Sequence, residues 1–273
     1  MSARGTFAGT IVGISRTLAD AMVYEDLAHR PGLLQSLDPR ARLVGLLSLV
    51  LAVTLAHRLS AILLLLAAGA LLARLSHVGI LLLGKRVWLP VLVFSAIVAL
   101  PAVFLTPGSP AFSIDALAFE ATHQGLNSAA LLISRVEAAA TLTTLLVVTT
   151  PWMHILNALR SFRVPQEIVL ILAMTHRYVF LLAETATQMF QSRQSRTVGS
   201  LDRATQRHVT TRTAGVLLSK SMELSGEVFL AMQARGFRGN ARALVGCRLR
   251  AKDFLGMAAF LAFATLCVWA GRS

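Results

Sequence analysis

The sequence predicts an all-α integral membrane protein, with about five transmembrane helices and a cytoplasmic-side domain of long helices. Three observations carry this reading. The 273 residues are 55% hydrophobic and only 14% charged, and their mean hydropathy is +0.67, an excess of apolar residues that a soluble domain of this length does not need. Long, nearly uncharged runs recur at 43–56, 59–75, 87–105, 126–150 and 254–270, as membrane helices require. The net charge of +13 fits cytoplasmic loops, which collect Lys and Arg in membrane proteins. Aromatic residues are few and no nucleic-acid motif is present. The expected counter-charges are therefore anionic lipid headgroups and an acidic partner surface, not nucleic acid.

Residues 1–36 are polar and mixed, with no apolar core beside a cleavage site; they read as a cytoplasmic N-terminal segment rather than a signal peptide. Asp38-Pro39-Arg40 is a helix start, because Asp caps the free N–H groups and Pro at the first position has none to lose. The run 43–56 is short for a full span and borrows flanking residues. His57-Arg58 breaks it tightly from the next run, as in a helical hairpin. Pro90 and Pro101 lie near the ends of the third run, where neighbouring helices satisfy freed backbone groups. Residues 106–124 hold Pro107, Gly108, Pro110, Asp115 and Glu120 but no Lys or Arg, whereas Arg74, Lys85 and Arg86 fill the preceding loop. The first is an outside loop and the second an inside loop. The resulting topology has the amino terminus inside, four spans within 37–150, a cytoplasmic basic segment at 151–240, and a basic linker plus final span at 241–273.

The basic segment holds two long helix patterns. Residues 164–194 lack Gly and carry Pro165 only at the start, where a helix accepts it. Residues 210–233 combine Val216, Leu217, Leu224, Val228 and Leu230 with Lys220, Glu223 and Glu227. The first pattern runs into Ser195-Arg196-Thr197 and the second into Ala234-Arg235-Gly236, with Gly199 and Gly236 placed where helices stop. One arginine in a last helical turn is explained by the helix dipole alone. Two such endings in one segment flanked by membrane runs read as paired plugs for an external partner. The stretch 168–189 is long enough to span, but His176-Arg177 would then sit at mid-membrane, which is expensive. It is expected to lie along the membrane instead.

Other candidates carry less. Gly79 to Arg86 matches most of a phosphate-binding loop, yet it lacks the magnesium-binding hydroxyl and leads into an apolar run. The seven histidines are scattered, and Cys247 and Cys267 are the only cysteines, so neither a metal site nor a disulfide framework follows. Arg135 and Glu137 lie inside the fourth span and, two residues apart, need separate partners. Thr141, Thr143, Thr144, Thr149 and Thr150 can bond across helices or back to their own carbonyls. No nucleophile–base set or carboxylate pair is found, which speaks against a membrane enzyme. A self-sufficient permease would need a polar constellation at mid-membrane, and only Arg135 and Glu137 offer one.

The two arginine endings, the run from Ala231 to Gly239 (Ala-Met-Gln-Ala-Arg-Gly-Phe-Arg-Gly) and Asp38-Pro39-Arg40 resemble the transmembrane T component of energy-coupling factor (ECF) transporters. The phrases Asp26-Leu-Ala-His and Leu37-Asp-Pro-Arg-Ala-Arg-Leu43 are similar to its cobalt branch, CbiQ. The resemblance covers residues 20–270. The second signature matches fully; the first has Ser195 and Thr197 where the family pattern has Ala and Gly, so only Arg196 carries over, and the helix is not expected to end sharply there. The resemblance implies a non-catalytic subunit in a bacterial inner membrane, with 151–240 as its coupling-helix domain. It implies two ABC-type ATPases, CbiO-like, whose grooves receive the helices bearing Arg196 and Arg235. It also implies a cobalt-binding membrane subunit, CbiM-like, and a small CbiN-like accessory. ATP and magnesium would be bound by the ATPases and cobalt by the membrane partner, with none bound by this chain. Nickel or a vitamin is the alternative substrate.

Overall fold

The computed structural model describes residues 13, 32–79, 83–105, 110–114, 119–196, 202–239 and 251–272. The chain forms two compact units: one of Glu25–Ala158 with Cys247–Ser273, the other of Leu159–Gly246 with Met1–Tyr24.

The first unit is a helical bundle. Helix α1 is Pro39–Leu55, α2 is Leu59–Leu75, α3 is Leu89–Leu105, α4 is His123–Thr149 and α8 is Ala251–Arg272. A single π-helical turn, Gly84–Trp88, leads directly into α3. Helix α4 packs against α1, α2 and α3, while α8 packs against α1 and α2. The core between them is aliphatic: Leu46, Leu49 and Val53 of α1, Ile62 and Leu65 of α2, and Leu142 and Leu145 of α4 are buried. The opposite faces carry exposed Leu47, Leu51, Leu63, Leu71, Phe94, Ile97, Leu266 and Trp269, which acyl chains cover without penalty. The five runs read from the sequence thus all become helices of this bundle.

Small residues let the helices approach. A Cβ on Gly45 of α1 would stand 2.5 Å from a ring carbon of Phe260 on α8. On Gly69 of α2 it would meet Leu142 and Thr141 of α4 at 3.4 Å. Such small-residue contacts are the usual basis of packing inside a bilayer, where there is no hydrophobic force between helices.

The helix ends follow the local chemistry. Asp38 caps α1, its carboxylate accepting from the Arg40 N–H at 2.9 Å, with Pro39 at the first position. Helix α2 closes through His77, which has φ 54°. The His77 N–H donates to Arg74 O at 3.2 Å and the Val78 N–H to Ala73 O at 3.0 Å, the paired bonds of a left-handed helix stop. One of the scattered histidines is therefore a helix stop, a conformation His tolerates better than most side chains.

The expected outside loop at 106–124 is corrected in one respect. Among its described residues it holds a two-stranded antiparallel hairpin, Pro110–Ile114 with Phe119–Thr122, and α4 already begins at His123. Phe112 and Ile114 alternate with Ala111 and Ser113, a two-residue period that suits a strand but is too short to stand out beside Pro and Gly.

Chain connectivity between the bundle and the second unit runs through α5, Trp152–Ser161. The second unit contains α6, Gln166–Arg196, and α7, Arg203–Ala234, packed on each other. By length and composition, four helices among the described residues suffice to cross a membrane: Gly84–Pro101, His123–Thr149, Gln166–Arg196 and Ala251–Gly271, with Leu59–Leu75 a shorter apolar helix. Helix α1, at 17 residues, rises about 25 Å, just under the thickness of a bilayer core.

Candidate coupling site

Helices α6 and α7 each end on an arginine. Arg196 is the last residue of α6, and Ser195 beside it returns its hydroxyl to Gln191 O at 3.1 Å. Thr197 and Gly199 lie outside the described residues. Arg235 follows the last residue of α7, Ala234, and takes the capping position with φ −85°. Gly236 then turns left-handed at φ 80°. Its N–H donates to Gln233 O at 2.9 Å, and the Phe237 N–H donates to Met232 O at 3.0 Å. This is a complete helix stop of the same kind as at His77. A Cβ on Gly236 would meet nothing within 4 Å, so the glycine is needed for its backbone angle alone. Gly236→Ala is expected to weaken the last turn of α7 by about 1 kcal/mol, read as faster amide exchange at Gly236 and Phe237 with the rest of α7 unchanged.

Both arginines are exposed, and neither guanidinium has a partner among the described residues. Two exposed cations at the ends of two packed helices can donate several hydrogen bonds to carboxylates or backbone carbonyls of another protein. Beside the second of them, α6 and α7 enclose an open apolar groove of about 560 Å³, lined by Leu170, Met174, Tyr178, Val228 and Phe229 and ending on Phe237.

Elsewhere the candidate residues are placed apart. Arg135 of α4 donates through Nη2 to Ala56 O at 2.7 Å. Ala56 caps the carboxyl end of α1, so the cation meets an otherwise orphaned carbonyl at the negative end of a helix. Glu137 is buried, and neither carboxylate oxygen has a hydrogen-bond partner among the described residues. One turn on, Thr141 returns its hydroxyl to Glu137 O at 2.7 Å and accepts from Trp88 Nε1 at 2.9 Å. Asp38, Pro39 and Arg40 form the start of α1 in the bundle unit. Of the phosphate-loop lookalike, residues 80–82 lie outside the described residues; the Leu83 N–H donates to Gly79 O at 3.1 Å, and Gly84–Trp88 is a π-helical turn. Among the described residues no three His, Cys, Asp or Glu side chains gather as a metal group. Sequence reasoning does not single out Arg42 or Asp253, yet both are buried charges.

A family model described as CbiQ, cobalt transport protein, matches residues 32–244. An uncharacterised protein of Methanocaldococcus jannaschii is 27% identical over 263 residues, covering 95% of this chain and 89% of its own. The cobalt transport protein CbiQ of Rhodobacter capsulatus is 33% identical over 183 residues, covering 64% of this chain and 72% of its own. The match of the family model over residues 32–244, from α1 through both arginine-ended helices, places this multi-pass membrane protein in the CbiQ cobalt transport protein family.

Proposed function

We propose that this chain is the energy-coupling T subunit of an ECF-type importer, transmitting ATP-driven motion of two ATPase subunits to a cobalt-binding membrane subunit. The observation that carries it is the pair of exposed arginines, without a side-chain partner among the described residues, that end α6 and α7 in the 159–246 unit. Each arginine docks in one half of a two-fold ATPase dimer, and closure of that dimer on ATP moves the two helix ends. The long helices carry the movement to the substrate subunit, whose membrane-facing surface suits the apolar groove better than water does. Cobalt, for whose transport the family and the Rhodobacter capsulatus relative are named, is favoured over nickel or a vitamin. The chain itself is non-catalytic: ATP and magnesium are held by the ATPases and cobalt by the membrane partner, with a small accessory subunit completing the complex.

The role requires both arginines on the cytoplasmic side, so α6 must lie along the membrane and not cross it. His176 and Arg177 at the middle of α6 support that placement, because a crossing would bury both in hydrocarbon. Single cysteines placed at His57, Gln194 and Gln233, in a chain with Cys247 and Cys267 replaced by Ala, test it. An impermeant thiol reagent added to intact cells is expected to label position 57 only. Labelling of 194 or 233 from outside would show that α6 crosses, and the two-plug reading would fail.

A further inference from the structure

The chain leaves the bundle unit within α5, after Ala158, and re-enters it at Cys247, ahead of α8. The helix ends nearest to these two crossings, those of α4 and α8, are tied to the start of α1. Arg42, on the first turns of α1, is only 4% exposed. Its guanidinium donates through Nη1 to Thr149 O, the last residue of α4. Through Nε it donates to Leu37 O at 3.1 Å, and through Nη2 to Gln35 O at 3.4 Å. Asp253, in the first turn of α8 and 3% exposed, accepts from the Asp38 N–H at 2.9 Å. Three helix ends therefore converge, and their charges complement them. A cation sits on the negative end of α4, and carboxylates sit on the positive ends of α1 and α8. Thr149, Thr150 and Pro151, between α4 and α5, are buried as well. The Pro151 carbonyl accepts from the His154 N–H at 2.9 Å, fixing the start of α5.

Nothing about simple bundle stability requires this position. Buried charges are replaced by apolar residues of like volume with little or no loss in many proteins. A planar fork reaching Thr149 O of α4 together with Gln35 O and Leu37 O just ahead of α1 instead fixes the relative position of those two segments. We propose that Arg42 is a positioning residue for energy coupling: it holds the end of α4 to the start of α1, which the hydrogen bond from the Asp38 N–H to Asp253 ties in turn to the start of α8. Both covalent connections to the 159–246 unit then move as one. Without the clamp, α4 and α8 yield separately when those connections are pulled, and the stroke dissipates inside the bundle. The inference rests on the coupling role proposed above.

The test uses the complete complex with its ATPases and substrate subunit, reconstituted in vesicles, with cobalt uptake and ATP hydrolysis measured per assembled complex. Arg42→Lys keeps the charge but loses the fork. Arg42→Gln loses both. Asp253→Asn keeps an acceptor for the Asp38 N–H while removing the charge. The expected result is near-normal hydrolysis with uptake per ATP lowered about tenfold in Arg42→Gln and severalfold in Arg42→Lys, and less in Asp253→Asn. A purely structural residue would lower both activities in step with the amount of complex and leave their ratio alone. An unchanged ratio in Arg42→Lys and Arg42→Gln overturns the proposal, and so does failure of all three variants to assemble, which would assign Arg42 to folding. Arg196→Glu with Arg235→Glu runs alongside. If that pair leaves uptake intact, the coupling role itself is wrong; if it abolishes uptake while the ratio holds in the Arg42 variants, only the clamp is wrong.

Discussion

Replacing Arg196 and Arg235 together by Glu is expected to abolish ATP-dependent cobalt uptake while leaving the protein inserted in the membrane at normal levels. Neither residue contributes to the bundle core, since each lies at the exposed end of a helix in the other unit. A charge-assisted hydrogen bond contributes about 1.5–3 kcal/mol. Losing one such anchor leaves the other to hold the partner, so each single change weakens docking without ending it. Losing both removes about 3–6 kcal/mol, a hundredfold or more in affinity, and the glutamates add repulsion against any acidic groove. Co-purification of the ATPases and uptake into vesicles measure the two consequences. Normal uptake by the double variant, with full retention of the ATPases, would end the coupling assignment.

The second large effect lies in the bundle. Gly45→Val is expected to destabilise it by about 1–3 kcal/mol, read as a lower midpoint of thermal unfolding in detergent. The Cβ alone would stand 2.5 Å from Phe260 Cδ2, 2.9 Å from Cγ and 3.1 Å from Cβ. Because the last two atoms lie at the root of the side chain, rotating the ring does not relieve the clash. Helix α1 or α8 must move instead. Phe260→Ala should recover a substantial part of the loss, since it removes the atoms that collide. Gly69→Ala is the control: its Cβ would meet Leu142 and Thr141 at 3.4 Å, ordinary contact, and Ala is the better helix former by about 1 kcal/mol. That variant is expected to be neutral or slightly stabilised. Equal losses at the two glycines would mean that close approach of α1 to α8 is not what Gly45 provides.

The bundle was legible in the sequence because bilayer insertion depends mainly on composition. Runs such as 59–75 and 87–105 need only be apolar and long, and no distant residue has to be known. The start of α1 was equally plain, because Asp38 and Pro39 act within two residues of each other. The same holds for the stop at Gly236, where a left-handed angle selects the residue. What escaped was whatever depends on distant partners. Asp38 and Asp253 meet across 215 positions, and Arg135 reaches Ala56 across 79. No local spacing reveals either. Arg42 reads as one more basic residue at a membrane edge, and only the fold shows it bonded to three carbonyls. Residues 106–124 read from the sequence only as an outside loop, because Pro107, Gly108 and Pro110 mask the two strands of five and four residues within it. The two arginines were legible in position but not in surroundings, since the groove beside Phe237 needs α6 and α7 side by side.

The left-handed stop after Arg235 also bears on how fast and how firmly a partner can be engaged. A binding segment that must first fold has an apparent affinity reduced by the fraction of time it spends folded. Here Gly236 and Phe237 already return their N–H groups to α7, so the fraction is set by the chain itself and not by the partner. The arginine's backbone is presented in one conformation before any encounter, and only its side-chain rotamers remain to be ordered. In the coupling role proposed above, such a tip is released and recaptured at each turnover without refolding.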